Sequence, residues 1–426
     1  MAIKALKRYS YICATKLIPD RMRNLLLSTL LLFAIFGIST AVSAQCVYDP
    51  GSKKMIDQIT GNECINTIVT AVPFLRITPD SRAGGMGDAG IATDADASSI
   101  YNNASLLAFA KKPKSISTTY SPWLRALGLT DVYMAYVAGY TKIGDLQALG
   151  GSLRYFSLGN IDYTDDNGQP LGSGKPNEIE ITGAYARKLS EEFAAAVSIK
   201  FIYSFLASDL NIGGNDIKPG VAGATDITFS YKHPVGENMF TAGLALTNLG
   251  TKISYTKNNQ EYIPANLGIG LAYTWNFDEY NSLTVTSDVT KLLVPTPIVD
   301  KNHPKYDVSP KDGIPDYRQY NVVSSWIKSF SDAPNGFKEE LQELMFSFGT
   351  EYWYNNQFAL RAGYFRENPF KGNRQYMTMG LGVKYNVFGM NLSYLIPTSK
   401  SLTNRDPLAN TLRFSLIFDF DDISQQ

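Results

Sequence analysis

The chain has 426 residues, with 39 basic and 39 acidic side chains and a formal net charge of +0 at pH 7. This balance leaves no electrostatic field that would draw the chain onto nucleic acid. Charged residues make up only 18% of the sequence, yet the mean hydropathy of −0.12 is too polar for a bundle of transmembrane helices. A transmembrane barrel, whose residues face lipid and lumen alternately, accounts for both properties.

The first feature of the chain is an uncharged apolar stretch at residues 25–44, which follows two arginines and ends in small residues. This arrangement is typical of a secretory signal peptide, so we predict that residues 1–44 are removed on export. An uncleaved anchor helix is the alternative. Either Met1 or Met22 could be the true start of the chain.

Two cysteines, Cys46 and Cys64, remain after the predicted cleavage. In an oxidising compartment a single disulfide between them is the simplest expectation, and a loop of that size would stabilise the fold by about 3 kcal/mol. A zinc site would need more ligands, and both histidines, His233 and His303, lie far away in sequence. We therefore predict a disulfide and no metal here.

Residues 71–110 precede the first strand and contain the pattern GxGxxG at residues 85–90. A dinucleotide site needs a strand directly before that pattern and a helix after it. Pro79 and the turn residue Asp80 interrupt any such strand. The glycines instead favour a segment that folds compactly inside a barrel, because backbone can pack closely where side chains are absent.

From residue 115 to residue 420 the sequence shows fourteen short segments in which apolar and polar residues alternate. In the clearest, Phe193 to Phe205, Lys200 lies on the face opposite the apolar residues. A lysine facing lipid near the bilayer midplane costs roughly 2–4 kcal/mol, so Lys200 should face the lumen. We predict an all-β fold, a transmembrane antiparallel barrel of fourteen strands with a plug in its lumen. Its parts would be a periplasmic segment and plug at 45–112, the barrel at 113–420 and a periplasmic tail at 421–426.

The connectors between these segments alternate between short and long. Short turns are typical of the periplasmic end of such barrels, and long loops of the extracellular end. The longest connector, residues 294–342 (the insertion), predicts a lid or a partner-docking element with a helix near residues 335–344; an inward-folded filler of the barrel mouth is the alternative. A weak calcium signal involves Asp312 and Asp316. Candidate partner contacts are Tyr306, Tyr317, Trp326, Phe330 and Phe337.

Residues 81–90 and 96–104 together resemble the N-terminal plug of the FadL-type outer-membrane barrels. The longer string AVPFLRITPDSRAGGMGDAG, residues 71–90, is similar to one branch of that family, the PorV-like proteins of the type IX secretion system. The plug element Asn-Pro-Ala of the fatty-acid transporters is altered, because Asn103 replaces the proline. The resemblance assigns these residues to the plug: Arg82, Gly85, Gly87, Asp88, Gly90, Asn102 and Asn103.

The resemblance implies a non-enzymatic shuttle in the outer membrane that needs no cofactor. Its implied partners are the type IX translocon barrel, the C-terminal signal domain of secreted cargo, the sortase of the attachment complex, and outer-membrane lipid or lipopolysaccharide. No GxSxG motif supports the esterase activity that has been linked to this branch. The alternative from the wider family is a transporter of hydrophobic small molecules, in which glycine-rich strands around Gly268 and Gly380 bend to open the barrel wall.

Overall fold

The computed structural model divides the chain into two units, Met1–Glu63 and Cys64–Gln426. In the first unit, Cys46–Asp49 and Lys54–Asp57 pair as an antiparallel hairpin. The signal peptide and Cys64 of the predicted disulfide lie outside the described residues, so both features remain predictions. The structure describes residues 46–49, 54–57, 67–164, 168–207, 211–212, 215–256, 260–298, 316–398, 408–409 and 411–421.

The second unit is built around fourteen long strands, numbered here in chain order. None of the helices in the described part of the chain is long and apolar enough to cross a membrane. The strands are β1 (Lys114–Pro122), β2 (Val132–Ile143), β3 (Gln147–Leu158), β4 (Asn177–Lys188), β5 (Phe193–Phe205), β6 (Gly220–Val235), β7 (Asn238–Gly250), β8 (Asn266–Asn276), β9 (Asn281–Leu292), β10 (Met345–Tyr354), β11 (Phe358–Arg366), β12 (Gln375–Tyr385), β13 (Phe388–Pro397) and β14 (Thr411–Phe420).

The strands form a closed barrel in which each strand pairs with its neighbours in the sequence. The last strand closes the ring by pairing antiparallel with the first, in a register that runs from Phe414 opposite Tyr120 to Phe420 opposite Lys114. Closure leaves no unpaired sheet edge, which a bilayer core without water requires. The predicted fold class is confirmed, and β5 has the bounds that its sequence pattern predicts.

Side chains alternate between the two faces of the barrel wall. Ile199 is 73% exposed on the outer face, whereas the next residue, Lys200, is only 3% exposed. Burial alternates in the same way along most of the strands, with small or polar residues facing inward. The prediction that Lys200 faces the lumen is confirmed.

The two ends of the barrel differ as the sequence predicts. Tight turns connect the strands at one end, for example at residues 144–146, 236–237 and 386–387, and long connections lie at the other end. The long connections carry their own short strand pairs, such as Ile161–Thr164 with Pro170–Gly174. The insertion carries three helices, α1 (Asp316–Gln319), α2 (Val322–Lys328) and α3 (Phe337–Gln342). Only the last of these was predicted from the sequence.

Residues 67–110, called the N-terminal segment below, pack against inward-facing residues of the barrel. The segment consists of short helical turns at Pro73–Arg76, Ser81–Gly84, Ser99–Asn102 and Ala104–Phe109. Its last turns contact a wall of inward-facing alanines and tyrosines on β2 to β5, because small side chains leave room for Leu107 and its neighbours. The other half of the segment lies against inward-facing glycines.

These glycines mark where the backbone of the segment approaches the wall. A Cβ atom on Gly363 would lie 2.1 Å from the backbone nitrogen of Gly87, which itself has a φ of +66°. A Cβ on Gly268 would lie 2.5 Å from the Cδ1 atom of Ile91, and Gly380 approaches Gly85 in the same way. The glycine-rich strands therefore make room for the segment, which explains them without a gap in the wall.

Substitution of Gly363 by valine tests this close approach. We expect Gly363→Val to displace the segment and to lower the free energy of unfolding by about 1–3 kcal/mol or more, because overpacking a tight contact forces the backbone to move. The measurement is the temperature at which the purified barrel loses its compact migration on a gel. Gly183→Val is the matched control, since nothing lies within 4 Å of its Cβ position. Equal stability of the two variants would contradict the contact.

Candidate functional site

A buried ion triad joins the N-terminal segment to the barrel wall. The guanidinium of Arg82 donates two hydrogen bonds to the carboxylate of Glu351 on β10, at 2.9 and 2.7 Å. Arg361 on β11 donates a third to the same carboxylate, at 2.7 Å. Glu351 and Arg361 are almost fully buried, and the remaining amine of Arg82 pairs with Asp96 at 2.9 Å. Two cations therefore hold one carboxylate out of contact with water.

A second contact fixes the glycine-rich turn of the segment. The side chain of Asp88 accepts a hydrogen bond from the hydroxyl of Tyr376 at 2.5 Å and pairs with Arg413 at 3.3 Å. The backbone N–H groups of Gly90 and Ile91 both donate to one oxygen of Asp288, at 2.7 and 3.0 Å. These bonds satisfy backbone groups that would otherwise be buried without partners.

Asn103 shows why a proline is not needed at this position. Its side-chain amide donates to the carbonyl oxygens of Ile91 and Phe229, at 2.8 and 3.2 Å, and its oxygen accepts from the backbone N–H of Ser105 at 3.1 Å. A proline could make none of these bonds. Of the other plug residues named from the resemblance, Gly85 lies against Gly380, and Asn102 fills the space beside Gly90.

Sequence reasoning missed a third set of contacts near the start of the segment. Arg154 on β3 donates to the carbonyl oxygens of Phe74 and Ile77, at 3.2 and 3.1 Å, and forms an ion pair with Glu180 on β4. Next to it, Lys200 pairs with Asp226 at 2.8 Å. The available signal was the presence of charged residues at inward positions of neighbouring strands.

A cavity of about 120 Å³ lies between the segment and the wall. The walls of this cavity include five charged side chains along with apolar ones, so it is not the predominantly apolar pocket that a transporter of hydrophobic molecules would need. The charged residues are Arg76, Asp88, Lys200, Asp288 and Arg374.

The insertion is attached to the barrel by a second group of buried charges. Lys291 at the end of β9 pairs with Glu343 and Glu340, at 2.5 and 3.0 Å. Lys371, in the connection after β11, pairs with Glu339 and Glu343, at 2.5 and 3.1 Å. All five side chains are buried, so α3 is docked by ion pairs and not by apolar packing.

Asp332 adjoins this group with one carboxylate oxygen that is buried and has no hydrogen-bond partner. Burial, reinforced by the nearby carboxylates of Glu343 and Glu340, raises the pKa of Asp332 to about 7, although the backbone N–H of Thr296 donates to its other oxygen. In the docked insertion this carboxyl group therefore holds a proton up to about pH 7.

The five predicted partner-contact residues are divided between different environments. Tyr306 lies outside the described residues, as does Asp312 of the weak calcium signal. The Tyr317 carbonyl accepts a hydrogen bond from the hydroxyl of Tyr262 at 3.1 Å, and Trp326 is half-buried. Phe330 and Phe337 are 50% and 75% exposed. Among the described residues, no group of three or more His, Cys, Asp or Glu side chains is placed to hold a metal ion.

A sequence model of the family described as "Type IX secretion system protein PorV" matches residues 60–299. No curated protein matches the chain. Similar solved structures include the Ralstonia pickettii toluene transporter TbuX, at 12% identity, covering 81% of this chain and 98% of that one, with a TM-score of 0.48. A Pseudomonas aeruginosa FadL homologue has 12% identity and a TM-score of 0.42, over 81% of this chain and 99% of that one. These low scores carry no functional information.

Neutralising Glu351 tests the ion triad. In Glu351→Gln the cations of Arg82 and Arg361 remain buried without their carboxylate, which costs about 3–5 kcal/mol when one partner of a buried pair is removed. We expect the segment to detach, so that trypsin cleaves at residues 76 and 82 and ion conductance in planar bilayers rises. Glu192→Gln, at a half-exposed carboxylate beside His233, is the control. Wild-type conductance and cleavage in Glu351→Gln would refute the triad's role.

The raised pKa of Asp332 predicts a pH dependence of the docked insertion. An unfolded Asp releases its proton near pH 4, whereas the docked one holds it until about pH 7, so the contribution of Asp332 to docking is lost as the pH rises through about 7. Hydrogen exchange of α2 and α3, corrected for intrinsic rates, should show more protection at about pH 6 than at about pH 8. Asp332→Asn should abolish the difference. Equal protection of the wild type on both sides of neutrality would rule the effect out.

Proposed function

The chain belongs to the PorV family of type IX secretion system proteins, and on this basis we propose that it receives secreted proteins through their C-terminal signal domain. It is an outer-membrane β-barrel and a component of that secretion system. In the proposed cycle it takes cargo from the translocon barrel and delivers it to the sortase of the cell-surface attachment complex. The cargo never passes through the lumen of this barrel.

The observation that carries the proposal is the attachment of the N-terminal segment inside the barrel. Glu351 holds the segment through Arg82, Asp288 holds its glycine turn, and Arg154 holds its start. We infer that residues 71–110 act as a plug that prevents passage through the lumen. A barrel closed in this way is suited to binding at its surface, and the long extracellular connections supply that surface.

Within that surface, we propose that the insertion forms part of the docking site for cargo. Its helix α3 is held in position by the buried ion pairs of Lys291 and Lys371, so this described part of the insertion presents a defined surface. Of the predicted contact residues, the carbonyl oxygen of Tyr317 accepts a hydrogen bond from Tyr262, in the connection between β7 and β8, and Trp326 on α2 is half-buried; both remain candidates for the docking site. Tyr306 stays a candidate from the sequence alone.

The second candidate, a transporter of hydrophobic small molecules, is favoured only by the cavity of about 120 Å³ beside the segment. Two features count against it. The charged lining would have to be desolvated by an apolar ligand, which is unfavourable. The described strands also form a closed hydrogen-bonded ring, whereas this function predicts a gap in the barrel wall.

We also propose that the protein is not an enzyme. His233, the histidine in the described part of the chain, pairs with Glu192 near a periplasmic turn. No nucleophile is bonded to it among the described residues, so it does not form the nucleophile–base pair that acyl transfer requires.

A direct binding experiment tests the docking proposal. Purified wild-type protein should retain an isolated C-terminal signal domain of a secreted cargo protein, measured by surface plasmon resonance in detergent. Replacement of residues 299–336 by a short Gly-Ser linker should abolish binding while the barrel stays folded, because Glu340 and Glu343 still pair with Lys291, and Glu339 still pairs with Lys371. A matched replacement of the hairpin at residues 161–174 is the control.

Failure of the wild type to bind any cargo domain would contradict the shuttle proposal itself. Full binding by the 299–336 variant would leave the shuttle proposal standing but remove the insertion from the docking site.

A further inference from the structure

The acidic side chains of helix α3 are buried against the rest of the protein, whereas its apolar side chains are exposed. Glu339 and Glu340 are 4% and 7% exposed, whereas Phe337 and Leu341 are 75% and 50% exposed. A helix on a water-exposed surface shows the opposite arrangement. Exposed apolar side chains that recur on one face indicate contact with another apolar phase.

The position of Lys291 in the in–out alternation of β9 shows on which side of the barrel wall α3 lies. On β9 the inward positions are the buried residues Thr286 and Asp288, and the positions between them face outward. Lys291 occupies one of the outward-facing positions, and the residue paired with it on β8 is the apolar Leu267. Because Glu340 and Glu343 nevertheless bury Lys291, α3 covers the outer face of the wall and not the barrel mouth.

The lipid-facing belt of the barrel begins directly below this helix. Ile269, Val289 and Phe346 are register partners across β8, β9 and β10, one outward position further into the membrane than Lys291. Ile269 is 51% exposed on this face. The apolar side of α3 is therefore continuous with the surface that contacts acyl chains.

The helix α2 adds a second apolar stripe to this surface. Val323, Ile327 and Phe330 recur at helical spacing and are 59%, 71% and 50% exposed. The ring of Phe330 lies 6.0 Å from the Nζ atom of Lys291, which places the end of this stripe beside α3.

We propose that the apolar side chains of α2 and α3 insert into the outer leaflet of the membrane and anchor the insertion at the lipid–water boundary. Amphipathic helices in this position bury their apolar face in the boundary between headgroups and acyl chains. Lys328 and Lys338 are exposed beside the stripes and would meet the phosphate groups of the lipids. Phe330 and Phe337 are thereby assigned to lipid and not to cargo.

Continuity with the barrel's lipid-facing belt favours lipid over a protein as the occupant. A protein partner would need its own apolar surface at membrane depth, whereas lipid is present wherever the barrel is inserted. The anchor would hold the remaining surface of the insertion at a fixed height above the membrane. This inference rests on the membrane placement of the barrel and not on cargo binding.

Tryptophan quenching by brominated lipid tests the proposal. Phe337→Trp and, separately, Ile327→Trp are reconstituted with the full chain into phosphatidylcholine vesicles whose acyl chains carry bromine, and the signal of the native tryptophans is subtracted. Ile199→Trp, on the lipid-facing wall, is the positive control, and Lys338→Trp, one residue further along α3, is the matched comparison. Compactness on a gel confirms that each variant is folded.

We expect the added indole at positions 337 and 327 to emit at short wavelength and to be quenched nearly as strongly as at position 199. Quenching at position 338 should be several-fold weaker. If positions 337 and 327 are quenched no more than position 338 and emit like indole in water, the lipid anchor is wrong and the stripes are left to a protein partner. Two separate positions ensure that one misplaced side chain does not decide the result.

Discussion

The carboxylate of Glu351, held between the guanidinium groups of Arg82 and Arg361, is the interaction on which the rest of the structure depends. It joins the N-terminal segment to the middle of the barrel wall, and it is stable only while all three groups are present. The glycines that face the segment would serve no purpose in an open pore. The ion triad therefore connects the glycine content of the strands with the segment that packs against them.

The barrel itself could be predicted because two physical rules act on every strand. Alternation has a period of two, and the cost of a charge in lipid decides which face is inward, as Lys200 shows. For β5 the predicted bounds, Phe193 to Phe205, are those of the structure. The partners of Arg82 could not be predicted in this way. Glu351 lies 269 residues further along the chain, and many other inward-facing residues of the barrel could equally have paired with Arg82. The glycine motif pointed to a compact segment but not to its contact with Gly363.

The insertion shows a different limit of sequence reasoning. The sequence predicts a helix near residues 335–344, but a sequence pattern cannot say which face of that helix is covered. In the structure, Lys291 shows which face is covered. It occupies an outward-facing position of β9 and is buried by ion pairs with the residues of α3 and its C-terminal end, which places α3 outside the wall. The same charges that dock the helix turn its apolar side away from the barrel. A surface loop is thus held by ion pairs on one side and, as we propose, by lipid on the other.

The central claim is that this barrel carries proteins at the cell surface and not solutes through its lumen. The most direct measurement is affinity purification of the protein from its native outer membrane, with mass spectrometry of the proteins and small molecules that accompany it. The account predicts secreted proteins that share one C-terminal signal domain, together with the large translocon barrel. Recovery of bound hydrophobic small molecules, with no protein cargo, would contradict it.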